Sequence, residues 1–184
     1  MPGNVHPIRT PRLLLRALTA DDLDGFAALH AEPRVMEKLG ATLSRSESHV
    51  VLTRIKSTVE GDGLGPWAVE LVDRARFIGL VGLSRPIFET AFTPCVEVVW
   101  RLLPEHWGKG LATEAARATL DFGFRVLGLP EILAWTTPDN VASRRVMAKL
   151  GMTHDAADDF DHPRLQAGHP LRRHVLYRAR PSAE

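Results

Sequence analysis

The sequence predicts an α/β (α+β) fold, with one mixed central sheet and helices on both sides. Three observations predict it. Short runs rich in β-branched and aromatic residues alternate with segments of helical period, in the order β-α-α-β-β-β-α-β-α-β-β. Helical segments sit between later strands as crossovers, which parallel pairing requires. The 184 residues show no internal repeat and no dividing linker. A single domain, 1–184 with a core of about 9–179, is therefore expected.

Each element has a local reason. Arg12 to Leu18 (RLLLRAL) reads as the first strand, after a loose Met1 to Pro7. Thr19 is placed to cap a helix, with Asp21 and Asp22 in the first turn where the dipole favours acid. Leu23, Phe26, Ala27 and His30 form its buried face, and His30 reads as a helix-end histidine. Pro33 ends that helix, and Val35 to Thr42 reads as a connection. Ser44-Arg45-Ser46-Glu47 fits a capping box and opens a second helix to about Glu60, closed by a Gly-Pro loop. Trp67 to Val72 and Phe77 to Leu83 flank the polar turn Asp73-Arg74-Ala75-Arg76 as a hairpin. Arg85 to Pro94 is irregular.

The chain is organised around the stretch from Glu97 to Gly128. Cys95 to Leu103 reads as a buried strand that Pro104 breaks. Trp107-Gly108-Lys109-Gly110 then leads into a helix whose apolar face carries Leu111, Ala115, Ala118, Phe122 and Val126, with Gly128 after the last turn. A strand, glycine turn and helix in that order suits an anion. Glycines allow close backbone approach, and the first N–H groups of the helix lack intrahelical partners. Lys109 adds a full charge there; the alternative is a tight connection with one solvated lysine. Neither GxxxxGK[ST] nor GxGxxG is present, so P-loop and dinucleotide-binding readings find no support. Glu131 to Thr136 is a further strand, Val141 to Leu150 a helix after Thr137-Pro138-Asp139-Asn140, and Met152 to Ala156 the start of another strand. Asp158 to His169 reads as a polar loop and Arg172 to Arg178 as the last strand.

Composition excludes several function classes. With 45% hydrophobic and 24% charged residues the chain reads as a globule, and a net charge of +1 gives no footing for nucleic acid. A single cysteine, Cys95, excludes a disulfide framework and a cysteine zinc site, and reads as an inert buried thiol. The histidines His154, His162, His169 and His174 lie near Asp158, Asp159 and Asp161 without a metal-ligand spacing, so no metal is expected. No apolar run reaches membrane-spanning length and no leader is visible, which makes a cytoplasmic location the default.

Two residue types in this pattern point to chemistry. Glu97 is a carboxylate in an otherwise apolar strand, where burial raises its pKa toward that of a useful base; the alternative is a structural ion pair with an arginine across the sheet. Trp67, Trp100, Trp107 and Trp135 read as core or pocket wall, with Trp67 and Trp100 as the pair to flank an acceptor.

The motif WGKGLATEA after E-V-V-W-R-L-L-P resembles the acetyl-CoA motif of the GNAT N-acetyltransferases, and within them the RimJ/RimL type that acetylates ribosomal protein N-termini. R-L-L-L-R-A-L, F-I-G-L-V-G-L and N-V-A-S-R-R-V-M-A-K-L-G-M extend the resemblance from about Arg9 to Arg178. It implies about seven strands splayed in the middle, about four helices, and acetyl-CoA as co-substrate in the splay. By the same resemblance, backbone N–H groups from Gly108 through Lys109, Gly110 and Leu111 to Ala112, flanked by Trp107 and Thr113, take the pyrophosphate. Glu105 stands where the family pattern (Q/R)xxGx(G/A) has Gln or Arg. Trp100, Leu102 and Leu103 would offer backbone groups to the pantetheine and the thioester oxygen. Asn140 would contact the pantetheine, and Ser143 would protonate the thiolate, because the tyrosine that many GNAT enzymes carry seven residues after the asparagine is Met147 here. The implied partner is an amine acceptor, a protein N-terminus or a small molecule, with a homodimer as one option. A non-catalytic acyl-CoA-binding module on the same fold is the alternative.

Overall fold

The computed structural model describes residues 7–72 and 74–181. Its sheet has the order β1-β2-β3-β4-β5-β6-β9-β7, with β8 also on β9. The strands are β1 (Ile8–Arg9), β2 (Leu13–Arg16), β3 (Pro66–Leu71), β4 (Ala75–Ser84), β5 (Glu97–Leu102), β6 (Ile132–Thr136), β7 (Thr153–His154), β8 (Phe160–Asp161) and β9 (Arg173–Ala179). The count rises from the expected seven to nine because β1, β7 and β8 are two-residue pairings, too short to leave a period in the sequence. The proposed turn residue Asp73 and most of Met1 to Pro7 lie outside the described residues.

The helices are α1 (Leu23–Ala31), α2 (Pro33–Met36), α3 (Arg45–Asp62), α4 (Leu111–Arg125) and α5 (Val141–Lys149). Ser44 and Glu47 close the expected capping box of α3. One expectation changes. Pro33 starts the single turn α2 as well as following α1, which suits proline at the first helical position. Asp22 stands in the first turn as expected, where it is buried and accepts from the Thr19 N–H at 2.8 Å in a capping box. Burial pushes its carboxyl up, but Arg16, at 2.6 Å, and Thr19 hold it below the usual carboxylate range.

Alternation along the strands sorts side chains onto two faces. Leu13, Trp67, Val81, Val98 and Leu102 pack against Leu111 and Ala115 of α4. Ala68 and Leu80 face the other way, against Phe26, Leu29 and Leu52 of α1 and α3. The buried stripe of α4 is Leu111, Ala115, Ala116, Thr119, Leu120 and Gly123, rotated from the expected one, and Val126 is 67% exposed beyond the helix end. The small residues let α4 lie close to the sheet, so the larger Phe122 sits at the side of the contact.

The sheet opens in the middle. β4 and β5 pair along six residues, but β5 and β6, which run parallel, meet only at Glu97 and Leu133. Beyond that point the two strands diverge.

Candidate active site

The splay leaves β5 with one unpaired edge. The Leu103 N–H donates to Ile78 of β4, so odd-numbered residues of β5 point their backbone groups at β4 and even-numbered ones at the opening. The Leu133 N–H bonds the Val96 carbonyl, as this alternation requires. The N–H groups of Trp100 and Leu102 therefore face the splay, as expected of a strand that pairs with a pantetheine. Leu103 does not: its N–H belongs to the ladder, which removes it from the expected set. The Leu102 carbonyl is also taken, by the Trp107 indole N–H at 2.6 Å, so Trp107 folds the turn back onto the strand.

At the end of β5 lies the glycine turn. Gly108 and Gly110 have φ of +71° and +76°, a conformation that a side chain at Cβ disfavours. Nothing lies within 4 Å of where a Cβ on Gly108 would stand. Helix α4 begins at Leu111 with Gly110 before it and no side-chain cap, whereas α3 and α5 are capped by Ser44 and Asn140. The first backbone bond of α4 runs from Glu114 N–H to Gly110, which leaves the N–H groups of Leu111, Ala112 and Thr113 without intrahelical partners. An uncapped helix start beside two left-handed glycines fits the pyrophosphate of acetyl-CoA. The side chain of Leu111 is core, so only its N–H serves there. Lys109 turns its ammonium onto the Glu105 carbonyl at 2.7 Å and remains within the turn.

A residue that sequence reasoning passed over braces this turn. Arg12 donates to the Lys109 carbonyl at 2.9 Å and to Glu114 at 2.6 Å, while Thr10 also donates to Glu114 at 2.6 Å. Position 12 read only as the first residue of a strand; its pairing with a helix about 100 residues later leaves no local signal.

Ser143 and Asn140 stand on the same face as α4. The Trp100 indole N–H donates to Ser143 Oγ at 3.3 Å across the splay. Because Oγ accepts that bond, its own hydrogen stays free to be given. Asn140 uses both ends of its amide: Oδ1 accepts from Ser143 N–H at 3.2 Å and Nδ2 donates to Thr136 at 2.8 Å. It is an N-cap that positions Ser143. Met147, at the position where the resemblance to other GNAT enzymes would place a tyrosine, is 1% exposed core and has no proton to give.

Glu97 lies on the opposite face, with Arg101 four residues along the same strand. Its carboxyl is enclosed on most sides and burial pushes its pKa up to about 8; Arg101 and the neighbouring Ser84 hydroxyl pull the other way. The expected ion pair with an arginine across the sheet is not formed among the described residues. Arg101 instead meets His30, whose Nε2 lies 3.1 Å from Nη1. His30 Nδ1 is 2.8 Å from the Phe26 carbonyl, which can only accept. Nδ1 thus carries the proton and Nε2 accepts from Arg101. Burial, then Arg101, keep His30 neutral, with its pKa below the ordinary value. His30 is therefore a buried partner of the site arginine. The signal for Arg101 was present, a second charge in an apolar strand, four residues after Glu97.

Trp67, expected beside the acceptor, is core. It is 3% exposed and its ring meets Phe122 of α4 edge-on at 5.4 Å. Alternation puts it on the α4 face, away from Glu97, and does the same for Trp100, the other tryptophan expected to flank the acceptor, which bonds Ser143 instead. Cys95 is half-buried where a buried thiol was expected, and its pKa is pushed up to about 11, first by burial and then by Glu97, which keeps it an unreactive thiol.

The chain matches the Acetyltransferase (GNAT) domain over residues 12–153, more than three quarters of its length. It belongs to the GNAT acetyltransferase family. It is 28% identical to the Bacillus subtilis "Uncharacterized N-acetyltransferase YoaA" over 152 residues, covering 78% of this chain and 81% of that protein. The crystal structure of an acetyltransferase from Agrobacterium tumefaciens superposes with a TM-score of 0.76 at 28% identity, covering 96% of this chain and 95% of that one. Mycobacterium smegmatis RimJ, solved in complex with CoA-disulfide, shares the fold at a TM-score of 0.74 and 19% identity, covering 95% of this chain and 86% of that one. This GNAT protein is thus an acetyltransferase of a family that uses acetyl-CoA. No helix among the described residues is long and apolar enough to cross a membrane.

Proposed function

We propose that this GNAT protein transfers an acetyl group from acetyl-CoA directly to a primary amine, within a complex that holds both substrates. The observation that carries the reading is the opening between β5 and β6 beyond Glu97 and Leu133, with the uncapped start of α4 at its end. The backbone N–H groups of residues 108–113 would hold the pyrophosphate, and those of Trp100 and Leu102 the pantetheine arm and the developing oxyanion. When bound, acetyl-CoA supplies the activated acyl group.

The two faces of the opening divide the proton work. Glu97, raised toward neutrality, takes a proton from the incoming ammonium, directly or through a water. Ser143, held by Trp100 and Asn140, gives its free hydrogen to the sulfur as the C–S bond breaks and the C–N bond forms, and the second proton leaving the acylated nitrogen restores the serine hydroxyl through solvent. Support for the RimJ/RimL-type branch comes from Ser143 three residues after Asn140, with a core methionine where a tyrosine acid would be needed.

Thermal unfolding with acetyl-CoA, with ATP and NADPH as controls, is the primary test. A ligand at 100 times its dissociation constant stabilises by about 2.7 kcal/mol, so a clear rise in Tm with acetyl-CoA alone is expected. No rise would remove the cradle reading. A sensing module would show that rise while no amine is ever turned over.

Two variants probe the roles. Ser143→Ala should lower kcat by about tenfold or more with little change in acetyl-CoA affinity, since a proton donor contributes typically about 10². Arg101→Met should move the rising limb of the pH–rate profile to higher pH, because the guanidinium pulls the Glu97 pKa down. A limb that stays in place would separate Arg101 from Glu97.

A further inference from the structure

The acceptor must approach Glu97, on the face of the sheet away from α4. That face has two walls. On the β5 side stand Arg101 and His30. On the β6 side, Leu133 pairs with Glu97 and Trp135 follows two residues on, so both point to the Glu97 face. Trp135 does not stand alone. Phe88 and Phe92, from the loop between β4 and β5, and Phe160 of β8 come to it with ring centroids 5.8, 5.8 and 6.0 Å away. His174 stacks on Phe160 at 5.4 Å and His162 lies 4.7 Å from Phe88.

None of Phe88, Phe92, Trp135 and Phe160 is fully buried; each keeps part of its surface open to solvent. They sit over β6 and β9, beyond the region that α1 and α3 cover. The four wall side chains carry no charge; Glu89 is exposed in the same loop, and Arg164 donates to the Ile87 carbonyl beside Phe88. Burial lowers the pKa of both His162 and His174, which keeps them neutral. The nearby carboxylates of the late loop are engaged: Asp158 with Arg178, Asp159 with His154, and Asp161 with Arg172 and Arg173.

We infer that the aromatic wall formed by Phe88, Phe92, Trp135 and Phe160 beside Glu97 is the acceptor-specificity subsite, and that it selects primary amines carrying an aromatic ring or a bulky apolar group close to the nitrogen. The inference rests on the acetyltransferase reading above. Charge complementarity assigns the ends: the ammonium goes to Glu97 and the apolar substituent to the rings. A polyamine suits this wall less well, because its aliphatic chain offers no ring to pack against the four aromatic side chains, and a second ammonium turned toward β5 would meet the Arg101 guanidinium. A small arylalkylamine and a peptide with an aromatic first residue share the selected chemistry.

The test compares kcat/KM, read as released CoA thiol at saturating acetyl-CoA, for five probes: 2-phenylethylamine, n-propylamine, a Phe-initiated tripeptide, an Ala-initiated tripeptide, and spermidine. The aromatic member of each pair should exceed its aliphatic counterpart by about tenfold or more, since one ring pairing contributes up to about tenfold beyond its area. Whichever pair leads identifies the source. Trp135→Ala should collapse the ratio toward one. Phe88→Leu, which keeps apolar volume and guards against loss of folding, should lower it by about threefold. A preference for n-propylamine, the Ala peptide or spermidine overturns the inference and leaves the acetyltransferase reading standing. So does a ratio untouched by both variants. If none of the five is acetylated although acetyl-CoA raises Tm, the catalytic reading and the inference fall together.

Discussion

Replacing Glu97 with glutamine should lower kcat/KM by about 10²-fold or more, the usual contribution of a positioned base. The pH profile gives the sharper readout. The base works only when ionised, and burial sets its pKa at about 8, so wild-type activity should climb with pH up to about 8 and then level off. In Glu97→Gln that climb should vanish. If the variant keeps both the rate and the climb, Glu97 is not the base.

The same residue makes an opposite prediction for stability. The folded protein holds the Glu97 proton up to about pH 8, while the unfolded chain releases it near 4.5. Across that window the folded state binds more protons, so Glu97 costs the fold progressively more as pH rises, by at most about 1.4 kcal/mol per pH unit. Below about 4.5 the wild type and the glutamine variant should unfold alike. Above pH 8 Glu97→Gln should be the more stable of the two. A higher Tm together with lower activity would mark a charge held in place for chemistry at the expense of stability. Equal Tm values at pH 8.5 would show that the carboxyl is better solvated than the structure places it.

Gly110→Val should abolish useful acetyl-CoA binding, with the dissociation constant weakened by about 100-fold. Three causes act together. Gly110 has a φ of +76°, which a β-branched residue strongly resists. It precedes the first turn of α4, whose N–H groups are the ligands of the pyrophosphate in this reading. Its Cβ would also stand 3.6 Å from Arg12 Nη2, so a branched side chain displaces the arginine that braces the turn. Gly128→Val is the matching control. Gly128 has a φ of +64° and open space around it, but lies past the other end of α4. Both variants should lose a few degrees of Tm, about 2–4 °C per kcal/mol of strain in a domain of this size. Calorimetric titration should show that only Gly110→Val loses acetyl-CoA. Equal affinities in the two variants would show that the turn does not hold the ligand.

Much of this site was legible before any fold was known, because its parts are local. The glycine turn, the helix that follows and the capping of α3 and α5 are each set by neighbours in the chain, and a strand with a carboxylate inside it stands out by composition alone. The parts that were missed depend on distant residues. Nothing around Arg12 announces Glu114 and Lys109, and nothing around His30 announces Arg101. Alternation is visible in the sequence, but not which face of each strand meets α4. Composition therefore does not tell Trp67, which is core, from Trp135, which shares the face of Glu97. The apolar stripe of α4 was misjudged for a related reason. Hydrophobicity marks Phe122 and Val126, yet close approach to a sheet selects alanine, threonine and glycine.

By itself, then, the sequence determined the strand, turn and helix that build the anion cradle, since short-range sterics and hydrogen bonding decide those. Only the tertiary structure decided how the sheet opens after Glu97 and Leu133, and therefore which backbone groups of β5 are free, which face carries the base, and which aromatic residues gather beside it. Pairing between strands about 35 residues apart is a competition among long-range contacts, and its outcome is not encoded at any one position.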